Sequence, residues 1–164
     1  MICSSLEHLE VAVAEWKSVG DRIVFTNGVF DILHIGHVTY LEEARRRGDR
    51  LVVGVNDDES VRRLNKAPGR PINPEHARAA IIGALRCVDA AILFGEDTPL
   101  WLIEAIQPDV LIKGGDYDPE EKNPKSKTFI VGSDLVKKAG GRVEIIQLVP
   151  GFSTTSIVGK IKED

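Results

Sequence analysis

Arg22-Ile23-Val24-Phe25-Thr26-Asn27-Gly28-Val29-Phe30-Asp31, followed by His34-Ile35-Gly36-His37, decides the fold. Residues 22–26 form a short, mostly apolar run, the pattern of a strand buried on both faces. Asn27-Gly28 ends it. The histidine segment then opens a helix that apolar and polar residues carry through 38–47, closed by Gly48-Asp49. Strand, turn and helix in this order make the first unit of a parallel α/β domain.

The alternation repeats outward from that unit. Before it, Leu6, Leu9, Val13 and Trp16 recur at spacings of three and four, which predicts an amphipathic helix over 4–18. After it, apolar runs predict strands at 51–55, 90–94, 109–113 and 142–148. Helices are expected at 59–64, 75–86, 99–106, within 130–138 and over 156–162. A loop rich in proline and basic residues is expected over 65–74. Residues 116–127 read as a lid or an insertion. The whole is a doubly wound (Rossmann-like) parallel sheet with helices on both faces, in one domain over 1–164. An N-terminal helix within 1–20 precedes the core at 22–162. Ligands of such folds bind beyond the carboxyl ends of the strands.

Composition narrows the function. The 164 residues are 43% hydrophobic and 28% charged, ordinary for a soluble globular protein. A net charge of −4 lacks the basic footprint of a protein that wraps DNA or RNA. No apolar run approaches the roughly 20 residues that span a bilayer. Glu7, Glu10 and Glu15 do not suit a secretory signal. Cys3 and Cys87 make neither a disulfide framework nor a CxxC metal motif. These features predict a reduced, cytoplasmic enzyme with no nucleic-acid and no membrane partner.

The chemistry gathers in the loops after the strands. A helix N-terminus offers free N–H groups and a favourable dipole to phosphate. His34 and His37, three apart, share one face of the first turn, and Gly36 leaves room for a ligand to approach. Together the histidines can donate hydrogen bonds to a phosphate whose charge grows in a transition state. Two histidines three apart are commonly structural, but their place after a strand and a Thr-Asn-Gly turn favours catalysis. Zinc is disfavoured, because His8 and His76 are the only other histidines and no cysteine is near. Arg62, Arg63, Lys66, Arg70 and Arg78 are candidates to neutralise phosphate. Arg62 and Arg63 also read as a solvated helix face, and Arg45, Arg46 and Arg47 as a solvated helix end. Trp16, Trp101 and Cys87 read as packing residues.

Residues Gly28-Val29-Phe30-Asp31-Ile32-Leu33-His34-Ile35-Gly36-His37 resemble the signature of the cytidylyltransferase-like nucleotidyltransferase superfamily. Three more segments fit it: Lys113-Gly114-Gly115-Asp116-Tyr117, Arg70-Pro71-Ile72-Asn73-Pro74 before a helix bearing Arg78, and Gly151-Phe152-Ser153-Thr154-Thr155-Ser156-Ile157. The resemblance covers about residues 22–162. Within the superfamily it runs to the adenylyltransferases of ADP-heptose synthesis, which act on D-glycero-β-D-manno-heptose 1-phosphate.

That resemblance implies attack of a sugar 1-phosphate on the α-phosphorus of ATP, in line, with Mg²⁺ accompanying the nucleotide and pyrophosphate leaving. It implies that His34, His37 and Lys66 are catalytic. Thr26, Asn27, Gly28, Phe30 and Gly36 would line the nucleotide pocket. Gly114, Gly115 and Asp116 would lie near the base or ribose, and Ser153, Thr154 and Thr155 would hold the triphosphate. Arg70 and Arg78 would meet the substrate phosphate. A homo-oligomer, dimer or larger, and a separate heptose kinase are also implied. The chain departs from the pattern in extra residues at about 121–129. It also has Val149-Pro150-Gly151 where some members place an arginine. Two alternatives stand beside this reading: a cytidylyltransferase for glycerol 3-phosphate or a related phosphorylated alcohol, and a non-catalytic nucleotide-sensing module. A tRNA ligase using His-Ile-Gly-His is disfavoured by the short, acidic chain.

Overall fold

The computed structural model describes residues 1–64 and 69–163. Its strands are β1 (Ile2–Cys3), β2 (Ile23–Gly28), β3 (Arg50–Asn56), β4 (Ala90–Phe94), β5 (Val110–Gly114) and β6 (Arg142–Ile146). All pair in parallel, in the order β1-β4-β3-β2-β5-β6. The helices are α1 (Leu6–Ser18), α2 (Ile35–Arg45), α3 (Asp58–Arg63), α4 (Glu75–Gly83), α5 (Leu100–Ile106), α6 (Ser133–Lys138) and α7 (Thr154–Glu163).

Period-two alternation along the strands divides the core between the faces of the sheet. Ile23, Phe25, Val52, Ile92 and Leu111 pack under Leu9 and Val13 of α1, Leu102 and Ile106 of α5, and Val136 of α6. Val24, Leu51, Val53, Ala91 and Ile112 pack under Leu41 and Ala44 of α2 and Ile82 of α4. This is the doubly wound arrangement. Trp16 and Trp101 pack on the first face and Cys87 on the second.

Strand order reverses between β2 and β5, and there the sheet forks. β2 follows β3 from Ile23–Arg50 to Gly28–Val55, but pairs with β5 only at Val24–Val110 and Phe25–Leu111. Beyond those rungs the strands are joined by side chains. The Tyr40 hydroxyl lies 2.7 Å from Thr26 Oγ1 and donates to the Ile112 carbonyl at 3.4 Å. One step further, Lys113 Nζ donates to Asn27 Oδ1. A crevice at such a switch point is where this fold binds ligands.

Several boundaries differ from expectation, each for a local reason. β1 is too short to leave a periodic trace and exists by pairing with β4 at Ile2–Ala91 and Cys3–Ile92. α2 begins at Ile35, inside the histidine segment expected to open it, with extended His34 as its N-cap. α4 stops at Gly83 and β6 at Ile146, both shorter than expected. α7 begins at Thr154, not Ser156, because Ser153 and Ser156 exchange capping bonds: Ser156 N donates to Ser153 Oγ, and Ser153 N to Ser156 Oγ.

The expected lid or insertion is cross-braced. Asp118 N donates to the Thr128 carbonyl, and Lys137 of α6 donates to the Pro119 carbonyl and to Glu120 at 2.7 Å. Arg46, Arg47, Arg62 and Arg63 are exposed as expected and also face carboxylates, Glu43, Glu144, Asp58 and Asp97, while half-buried Arg45 pairs with Asp89.

Candidate active site

The turn from β2 to α2 is shaped by three groups. Phe30 stands at φ +48°, a left-handed conformation rare for a bulky side chain. Asp31 is buried, and its carboxylate accepts from Ile72 N at 2.8 Å and Asn73 N at 2.9 Å while pairing with the Arg70 guanidinium. Arg78 comes from α4, wholly buried. Its guanidinium donates to the Val29 carbonyl (2.7 Å), the Asn73 carbonyl (3.0 Å) and Asp58 Oδ1 (2.8 Å). Two ionic groups distant in sequence thus fasten the turn to the 70–74 segment and to α3.

On that base stand the histidines. His34 and His37 stack with ring centroids 3.8 Å apart and planes 19° from parallel. Phe30 meets His37 edge-on at 5.3 Å and 69°. A Cβ at Gly36 would stand 3.0 Å from His34 Nδ1, so the glycine makes room for the imidazole as well as for a ligand. Burial, with a lesser push from neighbouring His34 and an opposing pull from the Ile32 carbonyl, brings His37 down to about 4. Burial also lowers His34. Both shifts favour the neutral ring, and a neutral imidazole still carries one N–H donor.

The pair opens on a cavity of about 530 Å³ at the carboxyl end of the sheet. Asn27, Gly28 and Phe30 line it from β2 and its turn, and Asn56, Phe94, Lys113 and Gly114 from the tips of the other strands. Ser153, Thr154 and Thr155 bring the N-terminus of α7 to the same space, with Arg70 on another wall. A Cβ at Gly114 would press on Leu148 at 2.8 Å and Tyr40 at 3.1 Å, so this glycine serves packing as well as access.

Of the residues singled out in the sequence, His34, His37, Asn27, Gly28, Phe30, Gly36, Gly114, Ser153, Thr154, Thr155 and Arg70 line this cavity. Four do not. Thr26 is wholly buried beneath it, bonded to Tyr40. Arg78 is spent on the contacts described above, so its expected place at a substrate phosphate is corrected to a tie beneath the turn. Gly115, at φ +90°, turns the chain out of β5, and Asp116 is exposed beyond it. Lys66 lies outside the described residues.

Sequence reasoning did not assign Asp31, Tyr40, Asn56 or Lys113 to the site. Asp31 and Lys113 stood inside recognised segments, and an acid beside two histidines was the available signal for the first. Tyr40 and Asn56 carry no local mark. Phe129 and Val131 also line the cavity, so the extra segment ends against it.

Residues 25–159 match the family model described as "Cytidylyltransferase-like". The chain belongs to the cytidylyltransferase-like family. Among curated members, it is 54% identical over 150 residues to the "Bifunctional protein HldE" of Mesorhizobium japonicum, covering 92% of this chain and 28% of that protein. It is 51% identical over 158 residues to the protein of that name from Ectopseudomonas mendocina, covering 96% and 32%. The chain thus spans less than a third of these cytidylyltransferase-like relatives. Among solved structures, the lipopolysaccharide core biosynthesis protein from Thermoplasma volcanium aligns with a TM-score of 0.59 and 34% identity, covering 79% of this chain and 98% of that one. Pantoate-beta-alanine ligase from Francisella tularensis aligns at 0.60 with 13% identity, covering 100% and 78%, a likeness of fold alone. No helix among the described residues is long and apolar enough to cross a membrane.

Proposed function

We propose that this chain transfers AMP from ATP to D-glycero-β-D-manno-heptose 1-phosphate, giving ADP-heptose and pyrophosphate. The observation that carries this reading is the convergence, on one cavity at the fork of the sheet, of a stacked histidine pair and the hydroxyl-bearing start of α7. The Lys-Gly-Gly-Asp-Tyr and Ser-Thr-Thr segments support adenine and heptose over other family substrates. The name of the Thermoplasma protein accords with a product destined for a surface glycan.

The reaction needs no covalent nucleophile. An oxygen of the sugar phosphate forms a bond to the α-phosphorus of ATP as the bond to the bridging oxygen of the β-phosphate breaks, and pyrophosphate leaves with that electron pair. His34 and His37 donate to the α-phosphoryl oxygens as charge grows on them. Ser153, Thr154, Thr155 and the amides of the first turn of α7 hold the leaving phosphates in line. Arg70, kept in place by Asp31, faces the acceptor phosphate.

Among the described residues, no three His, Cys, Asp or Glu side chains gather as a metal cage. Asp31 is taken up by amides and Arg70. This donor set fits Mg²⁺ held mainly by the triphosphate and water. Bound there, the ion would neutralise charge on the leaving pyrophosphate. On this reading the protein works in the cytoplasm as a homo-oligomer, and a heptose kinase supplies its sugar 1-phosphate.

Pyrophosphate release with Mg²⁺ tests the proposal, pairing ATP, CTP, GTP or UTP with heptose 1-phosphate or glycerol 3-phosphate. Turnover with ATP and heptose 1-phosphate is expected. Turnover only with CTP would overturn the substrate assignment, and nucleotide binding without turnover would overturn the enzyme.

A further inference from the structure

We propose that Phe30 is the positioning residue for His37: its ring, set in place by a left-handed backbone and by the space Gly28 leaves, fixes the tilt of the imidazole and keeps water from it. The inference rests on the reading of His37 as a donor to the transition state.

A catalytic imidazole is commonly oriented by a hydrogen bond from its second nitrogen to a carboxylate or carbonyl. Here Nδ1 of His37 and of His34 are both buried without a hydrogen-bond partner among the described residues. The Ile32 carbonyl lies close enough to favour a protonated His37 ring, yet makes no bond of normal geometry with Nδ1. Orientation therefore falls to packing. His34 covers one face of the His37 ring, and Phe30 closes on it edge-on.

Phe30 is itself held from two sides. Only 7% of it is exposed, within the cluster that includes Tyr40 and Leu41. A Cβ at Gly28 would stand 3.0 Å from Phe30 Cε2 and Cζ, so any larger residue there presses on the ring. A bulky residue keeps positive φ only where its surroundings over-determine it, and such sites cluster where geometry serves function. The edge-on contact of Phe30 adds to the burial that lowers His37. The other titratable groups on the cavity wall are His34, the Asp31–Arg70 pair, Tyr40, Asp97, Lys113 and Tyr117, and shortening Phe30 removes none of them.

The experiment is an NMR titration of the imidazole signals in the full chain, with kinetics of ATP turnover alongside. In the unaltered protein His37 is expected to titrate near 4. In Phe30→Leu its midpoint should rise by about one pH unit or more toward the ordinary value. kcat should fall about tenfold or more. Gly28→Ala keeps the phenyl group but displaces it, and should move the midpoint the same way, which keeps the test open if Phe30→Leu does not fold. A folded variant of either kind with an unmoved midpoint overturns the proposal, whatever its activity. If instead His37→Ala turns over normally, the reaction reading fails while the titration still reports what Phe30 does.

Discussion

His34 and His37 lie face to face, centroids 3.8 Å apart and planes 19° from parallel. Two imidazolium ions at that distance repel, and His34 adds to the burial that lowers the readiness of His37 to take a proton. The pair therefore meets an incoming phosphate as one unit. On the proposed reaction, His34→Ala and His37→Ala should each lower kcat by about a hundredfold or more. The double variant should lose little beyond either single one, as groups acting together are far from additive. Pyrophosphate release under saturating substrates measures all three.

The depressed His37 makes stability depend on pH with a definite sign. Its folded value is about 4 and its ordinary value 6.5. Between these the unfolded chain binds more protons than the folded one, so unfolding free energy rises with pH. The contribution is present in full above 6.5 and is lost as pH falls through about 4. Urea unfolding at pH 7 and pH 5 should show lower stability at the acid value, and His37→Gln should flatten the difference.

Nucleotide binding should reverse that preference. Phosphate charge beside the rings favours their protonated form, so the value in the complex lies above that in the free protein. ATP affinity should strengthen as pH falls toward 5, with proton uptake on binding. Calorimetry in buffers of different ionisation enthalpy reads the proton count. Proton release on binding would contradict the placement of phosphate at the pair.

Gly36→Ala should separate activity from stability. The added methyl meets His34 Nδ1 at 3.0 Å and Cε1 at 3.1 Å. Alanine suits a helix better than glycine by up to about 1 kcal/mol. Thermal melting should be unchanged or slightly raised while kcat falls about tenfold or more.

Arg78→Met should act through the fold. It leaves Asp58 and the Val29 and Asn73 carbonyls without their buried donor. Removing one partner of a buried ion pair costs about 3–5 kcal/mol, and urea unfolding should show a loss of that order. Were Arg78 a substrate ligand alone, KM would rise with stability intact.

The parallel sheet was legible because its central strands are apolar on both sides, as in Leu51-Val52-Val53-Gly54-Val55, and that pattern needs helices on both faces. The site was legible where a turn and a helix start carry it locally, as at Gly28–His37 and Ser153–Thr155. What escaped depends on partners far along the chain. Arg78 looks like any basic residue near a phosphate loop until Val29, Asn73 and Asp58 close around it. Tyr40 looks like a helix core residue, and its hydroxyl acquires meaning only when β5 brings Ile112 beside Thr26. β1 is two residues long and owes its existence to a neighbour near position 91.

The short ladder between β2 and β5 bears on how readily this scaffold can change its clientele. Its two wings pair only at Val24–Val110 and Phe25–Leu111, with a backbone bond from Asp109 N to the Ile23 carbonyl just below them. Above those rungs, the girth of the pocket is set by two exchangeable ties, Thr26–Tyr40–Ile112 and Asn27–Lys113. A bulkier or slimmer acceptor can then be met by replacing Tyr40 or Lys113 with a side chain of another length, with the strands below left as they are. In a scaffold of this kind, adaptation to a new substrate runs through the stitching at the fork and leaves the weave intact.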